Sequence, residues 1–103
     1  MEWLKKSVAK KWVKALRSDK YTQCYNGLSE EDGSVCALGV LCDISKLGRW
    51  KKNLEYTNYK KVLKWAGLTE DGVDTIVDWN DYEQKTFPTI ANLIEQDLSK
   101  RIK

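Results

Sequence analysis

The sequence predicts an α-dominated α+β fold, about five helices with one β-hairpin between the first two. Three observations carry this. Apolar residues recur at three- and four-residue spacing in five separate stretches, most of them bounded by a capping hydroxyl or a stopping glycine. One stretch, 21–35, is instead rich in aromatic and β-favouring residues on either side of an acidic, glycine-bearing turn. And 103 residues can bury roughly 65% of their extended surface around one core, so residues 1–103 read as a single compact domain.

The first helix, roughly 2–18, is given by Leu4, Val8, Trp12 and Leu16, a stripe widened by Ala9, Val13 and Ala15. Lys5, Lys6, Lys10, Lys11 and Lys14 fall mostly outside it and read as a solvated face. "YTQCYNGLSEEDGSV" follows as the hairpin. Its turn lies near Glu31, Asp32 and Gly33, which sets Cys24 and Cys36 opposite each other. "CALGVLCDISKLG" fits a buried strand or a buried helix by periodicity alone. Its thirteen residues, with Ser34 as N-cap, Lys46 near the end and Gly48 beyond it, decide for a central helix. Thr57 caps a short helix with Tyr59, Val62, Leu63 and Ala66 on one face, ended by Gly67. Thr69 caps another, with Val73, Ile76 and Val77 inward, running to about Tyr82. The last helix starts after Thr86, takes Pro88 in its first turn and turns Ile90, Leu93, Ile94, Leu98 and Ile102 to one side.

Composition narrows the setting. A 42% hydrophobic fraction with five Trp and five Tyr supports a packed interior. No run approaches the roughly 20 apolar residues of a membrane span, and "MEWLKKSVAKKW" lacks the apolar core of a signal peptide, so a cytosolic protein is expected. Three cysteines without a C-x-x-C pair, and no histidine, point to reduced, buried thiols and to no metal site. Residues 1–52 carry eleven Lys and Arg against six Asp and Glu, a net of +5; residues 53–103 carry seven against nine, a net of −2. That polarity suits an anion at the front half but falls short of the basic stripe of a dedicated nucleic-acid binder.

Catalytic chemistry finds few groups. No histidine serves as general base, no phosphate loop or dinucleotide turn is present, and no cofactor is implied. A thiol enzyme lacks the base that would activate Cys24, Cys36 or Cys42. Asp74, Asp78 and Asp81, at helical spacing, form a row able to hold Mg²⁺ or do acid/base work, although such a row is more often a wet surface.

Binding chemistry concentrates in "LRSDKYTQ". Arg17 offers a planar fork of donors, Ser18 a hydroxyl, Lys20 a mobile cation, Tyr21 a stacking face with a polar tip and Gln23 a donor with an acceptor. That set suits a phosphate beside a base or ribose. Amides at the helix start near Ser34 to Cys36 add an anion-binding end, and Trp79 and Asn80 supply stacking and edge recognition. The same residues equally suit a tied corner, with Arg17 and Ser18 terminating the first helix and Tyr21 and Gln23 fastening the hairpin to it. From sequence the two stand side by side.

Three ordered stretches, "WVKALRSDKYTQ" at 12–23, "CALGVLCD" at 36–43 and "NDYEQKTFPTIANLIE" at 80–95, resemble small accessory proteins of tailed phages and prophages. Those carry W-x-x-A-L-R-S-x-x-Y-x-Q, L-G-V-L-C and a late N-D followed by F-x-x-I-A-x-x-I-E. Ala37 stands where that pattern usually doubles the cysteine, which argues against an essential Cys pair, and Asn92 where it usually has Asp. The resemblance implies a phage setting, hence the host bacterial cytosol, and no particular chemistry. The expectation is a non-enzymatic phage binding protein that antagonises host defence by sequestering a small nucleotide immune signal. Next in order come a protein-binding inhibitor of a host immune complex, using exposed Trp3, Trp50 or the acidic face from Asp71 to Asp81, and then a carboxylate-based metal hydrolase. Partners are thus a small nucleotide-type anion or a host defence protein, ahead of nucleic acid and without a membrane; self-association is left open.

Overall fold

The computed structural model describes residues 3–101, and side chains through Asp97. Among these residues lie α1 (Lys6–Leu16), α2 (Ala37–Ser45), α3 (Tyr59–Ala66), α4 (Glu70–Val77) and α5 (Phe87–Arg101), with a π-helical turn, Asp78–Tyr82, running on from α4. None of the helices is long and apolar enough to cross a membrane.

α2 is the centre, as its apolar run requires: every residue from Ala37 to Cys42 is buried. α1 and α5 pack on each other, α1 also covers α2, and α3 and α4 reach α2 from its other sides. The amphipathic stripe of α1 buries Val8, Ala9, Trp12, Val13 and Leu16. Trp12, 0% exposed, donates its indole N–H to the Ala37 carbonyl at 3.0 Å, so the largest core side chain also pins α1 to the start of α2.

The expected hairpin does not form, and the fold is all-α instead of α+β. Residues 17–36 make only single bridges, Gln23 with Val35 in parallel sense and Ser29 with Val35 in antiparallel sense. Val35 therefore lies between two short arms. Its N–H donates to the Thr22 carbonyl at 2.8 Å and its carbonyl accepts from Cys24 at 2.9 Å, while Cys36 N–H reaches the Leu28 carbonyl at 3.0 Å. The register fails at Asn26, whose φ of +65° turns the chain back before a ladder can start. At the other end Asp32 Oδ1 accepts from both the amide (2.9 Å) and the hydroxyl (2.6 Å) of Ser34, closing a local turn. Two arms this short have no sheet to join, and their backbone groups are satisfied one by one.

Helix ends follow the same economy of partners. Thr69 caps α4 by accepting from the Gly72 amide at 3.1 Å, Gly67 closes α3 at φ +67°, and α5 carries Pro88 in its first turn, all as the sequence predicts. Ser34 and Thr57 do not cap. α2 begins after Cys36 with no side-chain cap of its own, and Thr57 Oγ1 accepts from the Arg49 amide at 2.7 Å. α2 ends at Lys46, in the left-handed region at φ +56°, before Gly48. Gly48 serves close approach instead: a Cβ there would lie 2.1 Å from the Thr57 carbonyl oxygen. α1 is shorter at both ends than 2–18. Ile102 and the side chain of Leu98, expected on the inner face of α5, lie outside the described residues.

Candidate anion-binding site

The seven residues singled out by sequence fall into four places. Gln23 and Asn80 meet in the core. The π turn, marked by the Glu83 amide donating to the Asp78 carbonyl at 2.8 Å, carries Asn80 inward until it is 1% exposed. Its Oδ1 accepts from Gln23 Nε2 at 2.9 Å and from the Ala37 amide at 3.1 Å. Its Nδ2 donates to the Cys24 carbonyl at 2.9 Å and to Asp81 Oδ1 at 2.7 Å. Gln23 Nε2 also donates to the Lys85 carbonyl at 2.8 Å. Asn80 is thus the cap of α2, supplied from 43 residues away. The amides near Ser34 to Cys36 are not an open anion end, since Ala37 N–H is taken by Asn80 and Cys36 N–H by Leu28.

Trp79 lies elsewhere. Its ring is half-buried and meets Trp3 edge-to-face at 6.4 Å, beside Leu93, so it offers no stacking face to Tyr21. Trp3 and Trp50, expected as exposed partner anchors, are half-buried too, Trp50 against Tyr56 at 5.1 Å. Asp74, Asp78 and Asp81 do not gather: among the described residues no three acidic or sulfur side chains are placed to hold a metal ion.

Arg17 closes α1 and reaches α5. Its Nη2 donates to Asn92 Oδ1 at 2.6 Å and to Glu95 Oε1 at 2.5 Å. The pair is solvent-exposed, and the shared bond raises the Arg17 pKa and lowers that of Glu95. Ser18 is a corner residue, its hydroxyl donating to the Ala15 carbonyl at 2.7 Å and accepting from the Lys20 amide at 3.3 Å. Asp19, at φ +61°, completes the turn.

Beyond that turn the remaining members converge on a cleft of ≈ 350 Å³ lined by Lys11, Lys14, Ala15, Ser18, Lys20, Tyr21 and Ile44. The second half of α1 forms one wall, the 17–21 turn the lip, and the end of α2 the opposite wall. Tyr21 is fixed by donating its hydroxyl to Asp43 Oδ2 at 2.6 Å. Burial first, then the Asp43 bond and charge, raise its pKa well above the usual 10.0, so it stays a neutral phenol. Lys20 Nζ stands 5.8 Å from the centre of the same ring. Ala15 and Ile44 give an apolar floor, and Lys11, Lys14 and Lys20 border it. Such a cleft can hold a planar group against Tyr21 while the lysines neutralise an attached anion. Lys11, Lys14 and Ile44 were not among the site residues expected from sequence, which placed the lysines on a solvated face. For Lys11 the signal was there, since positions 11 and 15 lie one turn apart on the side of α1 that leads into Ser18; Ile44 comes to the cleft from α2 by packing alone.

The cysteines lie away from this cleft and are free and buried. Burial pushes Cys36 up to about 11 and Cys42 up to about 12, and also raises Cys24, so none is a ready thiolate at neutral pH.

Fold and site together define an all-α domain with a lysine-rimmed cleft at the turn after its first helix. The chain belongs to the family described as Domain of unknown function (DUF8296), whose model matches residues 4–84. That span takes in the cleft, the Tyr21–Asp43 pair and the Asn80 hub, and stops before α5. No curated protein and no solved structure matches the chain.

Proposed function

We propose that this protein is a non-enzymatic binder of a small nucleotide-type anion, held in the Lys11, Lys14, Lys20 and Tyr21 cleft. In the phage setting that the ordered sequence stretches imply, it acts in the bacterial cytosol by sequestering a nucleotide immune signal. The observation that carries this reading is the pairing of an anchored aromatic ring with three cations over an apolar floor, the combination a phosphate joined to a base requires. Sequestration needs no nucleophile, and the buried thiols play no part in it.

Thermal melting of the pure protein against nucleotides, cyclic oligonucleotides and Mg²⁺ tests this. A ligand at 100 times its dissociation constant adds about 2.7 kcal/mol, and Lys20→Ala should shrink that shift while leaving the unliganded melting point near its original value. Ligand recovered after heat denaturation of the complex should be chemically intact; an altered product would replace binding by catalysis. A second reading, inhibition of a host protein complex, has its own observation: residues 70–83 carry six carboxylates and no Lys or Arg, and within them Tyr82 is 78% exposed. Absence of any nucleotide shift, with loss of partner binding in Tyr82→Ala, would favour it.

A further inference from the structure

A second concavity, ≈ 480 Å³, runs along the other side of α1, between it and α5, and is lined by Lys10, Val13, Lys14, Arg17 and Glu95. Lys14 lines both this groove and the Tyr21 cleft. The helix explains why: at about 100° per residue, Lys10 and Arg17 fall on one flank of Lys14 and Lys11 and Ala15 on the other. The exposed ridge of α1 is therefore a row of cations with a hollow on each side and a shared lysine at its crest.

We propose that the ligand carries two phosphates separated by a nucleoside and straddles α1. One phosphate lies at Lys11, Lys14 and Lys20, and the second lies in the α1–α5 groove at Lys10, Lys14 and Arg17. This deepens the anion reading of the first cleft and rests on it. The second groove is already set for an anion, because a carboxylate occupies it: Glu95 and the amide oxygen of Asn92 both take Arg17 Nη2. The side-chain hydrogen bonds of Arg17 to described residues both leave from that one nitrogen, so Nη1 and Nε of the guanidinium fork remain for a phosphate. Glu95 acts as a built-in competitor that holds Arg17 in place and at the same time opposes a second negative charge. It sets the affinity for the two-phosphate ligand without touching the first cleft.

The test is calorimetric titration of the full chain with AMP, with ADP, whose phosphates are adjacent, and with the 5′-phosphorylated dinucleotide pApA, whose phosphates flank a nucleoside. We expect pApA to bind about tenfold more tightly than either mononucleotide, the worth of one added charge-assisted phosphate contact. Lys10→Ala should remove most of that advantage and cost AMP far less. Glu95→Gln should strengthen pApA binding several-fold, whereas a clamp with only a structural role would weaken it or leave it unchanged. The proposal is overturned if pApA binds no better than ADP, if Lys10→Ala weakens AMP and pApA in equal proportion, or if Glu95→Gln brings no gain. Binding of AMP without a preference for pApA would remove the straddling arrangement alone; failure of all three probes would remove the first cleft as well.

Discussion

Replacing Asn80 with Ala would leave the buried Ala37 amide and Cys24 carbonyl without their partner, and Gln23 with only the Lys85 carbonyl. Groups stranded in that way cost about 1–3 kcal/mol each. Asn80→Ala should therefore lower stability by about 3 kcal/mol or more, read from urea midpoints. Arg17→Ala, which opens an exposed and solvent-screened pair, should leave the midpoint close to that of the unaltered protein. The reverse order would show that the corner, and not the hub, holds the turn in place. Tyr21→Phe keeps the ring in the cleft but strands Asp43, and we expect a loss of about 1 kcal/mol by the same measurement. Residue types were legible here in part. "LRSDKYTQ" announces polar bonding, but which of its side chains bond inward depends on partners 22 to 78 residues away.

Among the elements, α2 has the least freedom. Gly39 lies where a Cβ would meet the Leu28 carbonyl oxygen at 2.4 Å and Val35 Cβ at 2.9 Å, so the 17–36 loop rests directly on the helix backbone. Gly39→Ala must push that loop away, and about 2 kcal/mol or more should be lost. Gly33→Ala, with open space around it but φ +87°, should cost only about 1 kcal/mol from backbone strain. Equal effects in thermal melts would contradict the close packing of loop on helix. Helix existence was readable for all five segments because each has a period or a stop signal of its own. The hairpin does not form because aromatic and β-branched residues equally suit a half-buried loop laid on a helix, and nothing local reveals that 34–36 is claimed by two arms at once.

For the whole molecule, burial of weak acids sets an alkaline limit. Cys36 is raised from the usual 9.0 to about 11, Cys42 to about 12, and Tyr59 from 10.0 to about 12, in each case mainly by removal from water. The unfolded chain ionises these groups at their ordinary values, so the native state holds the protons more tightly. Their neutral burial costs nothing below about pH 9, and stability falls as pH rises from there toward 12. Denaturation midpoints should drop steadily above pH 9, and Cys42→Ala should flatten the decline; a midpoint flat to pH 11 would mean that these groups meet water in the native state. Both basic hollows lie on α1, so added salt should weaken anion binding much more than it changes the melting point.

What the sequence determined by itself is whatever depends on near neighbours along the chain: the five helices, the Thr69 start and the Gly67 stop, the buried centre at 36–42 and the basic character of α1. Those follow from side-chain period and local backbone preference, which act over a few residues. Only the tertiary structure decided that Asn80 caps α2, that Trp79 turns to Trp3, that Arg17 is held by α5, and that Lys11 and Lys14 border the cleft of Tyr21. Hydrogen bonds and clefts of this kind join segments brought together by packing. A polar side chain carries no mark of which distant partner its geometry will reach.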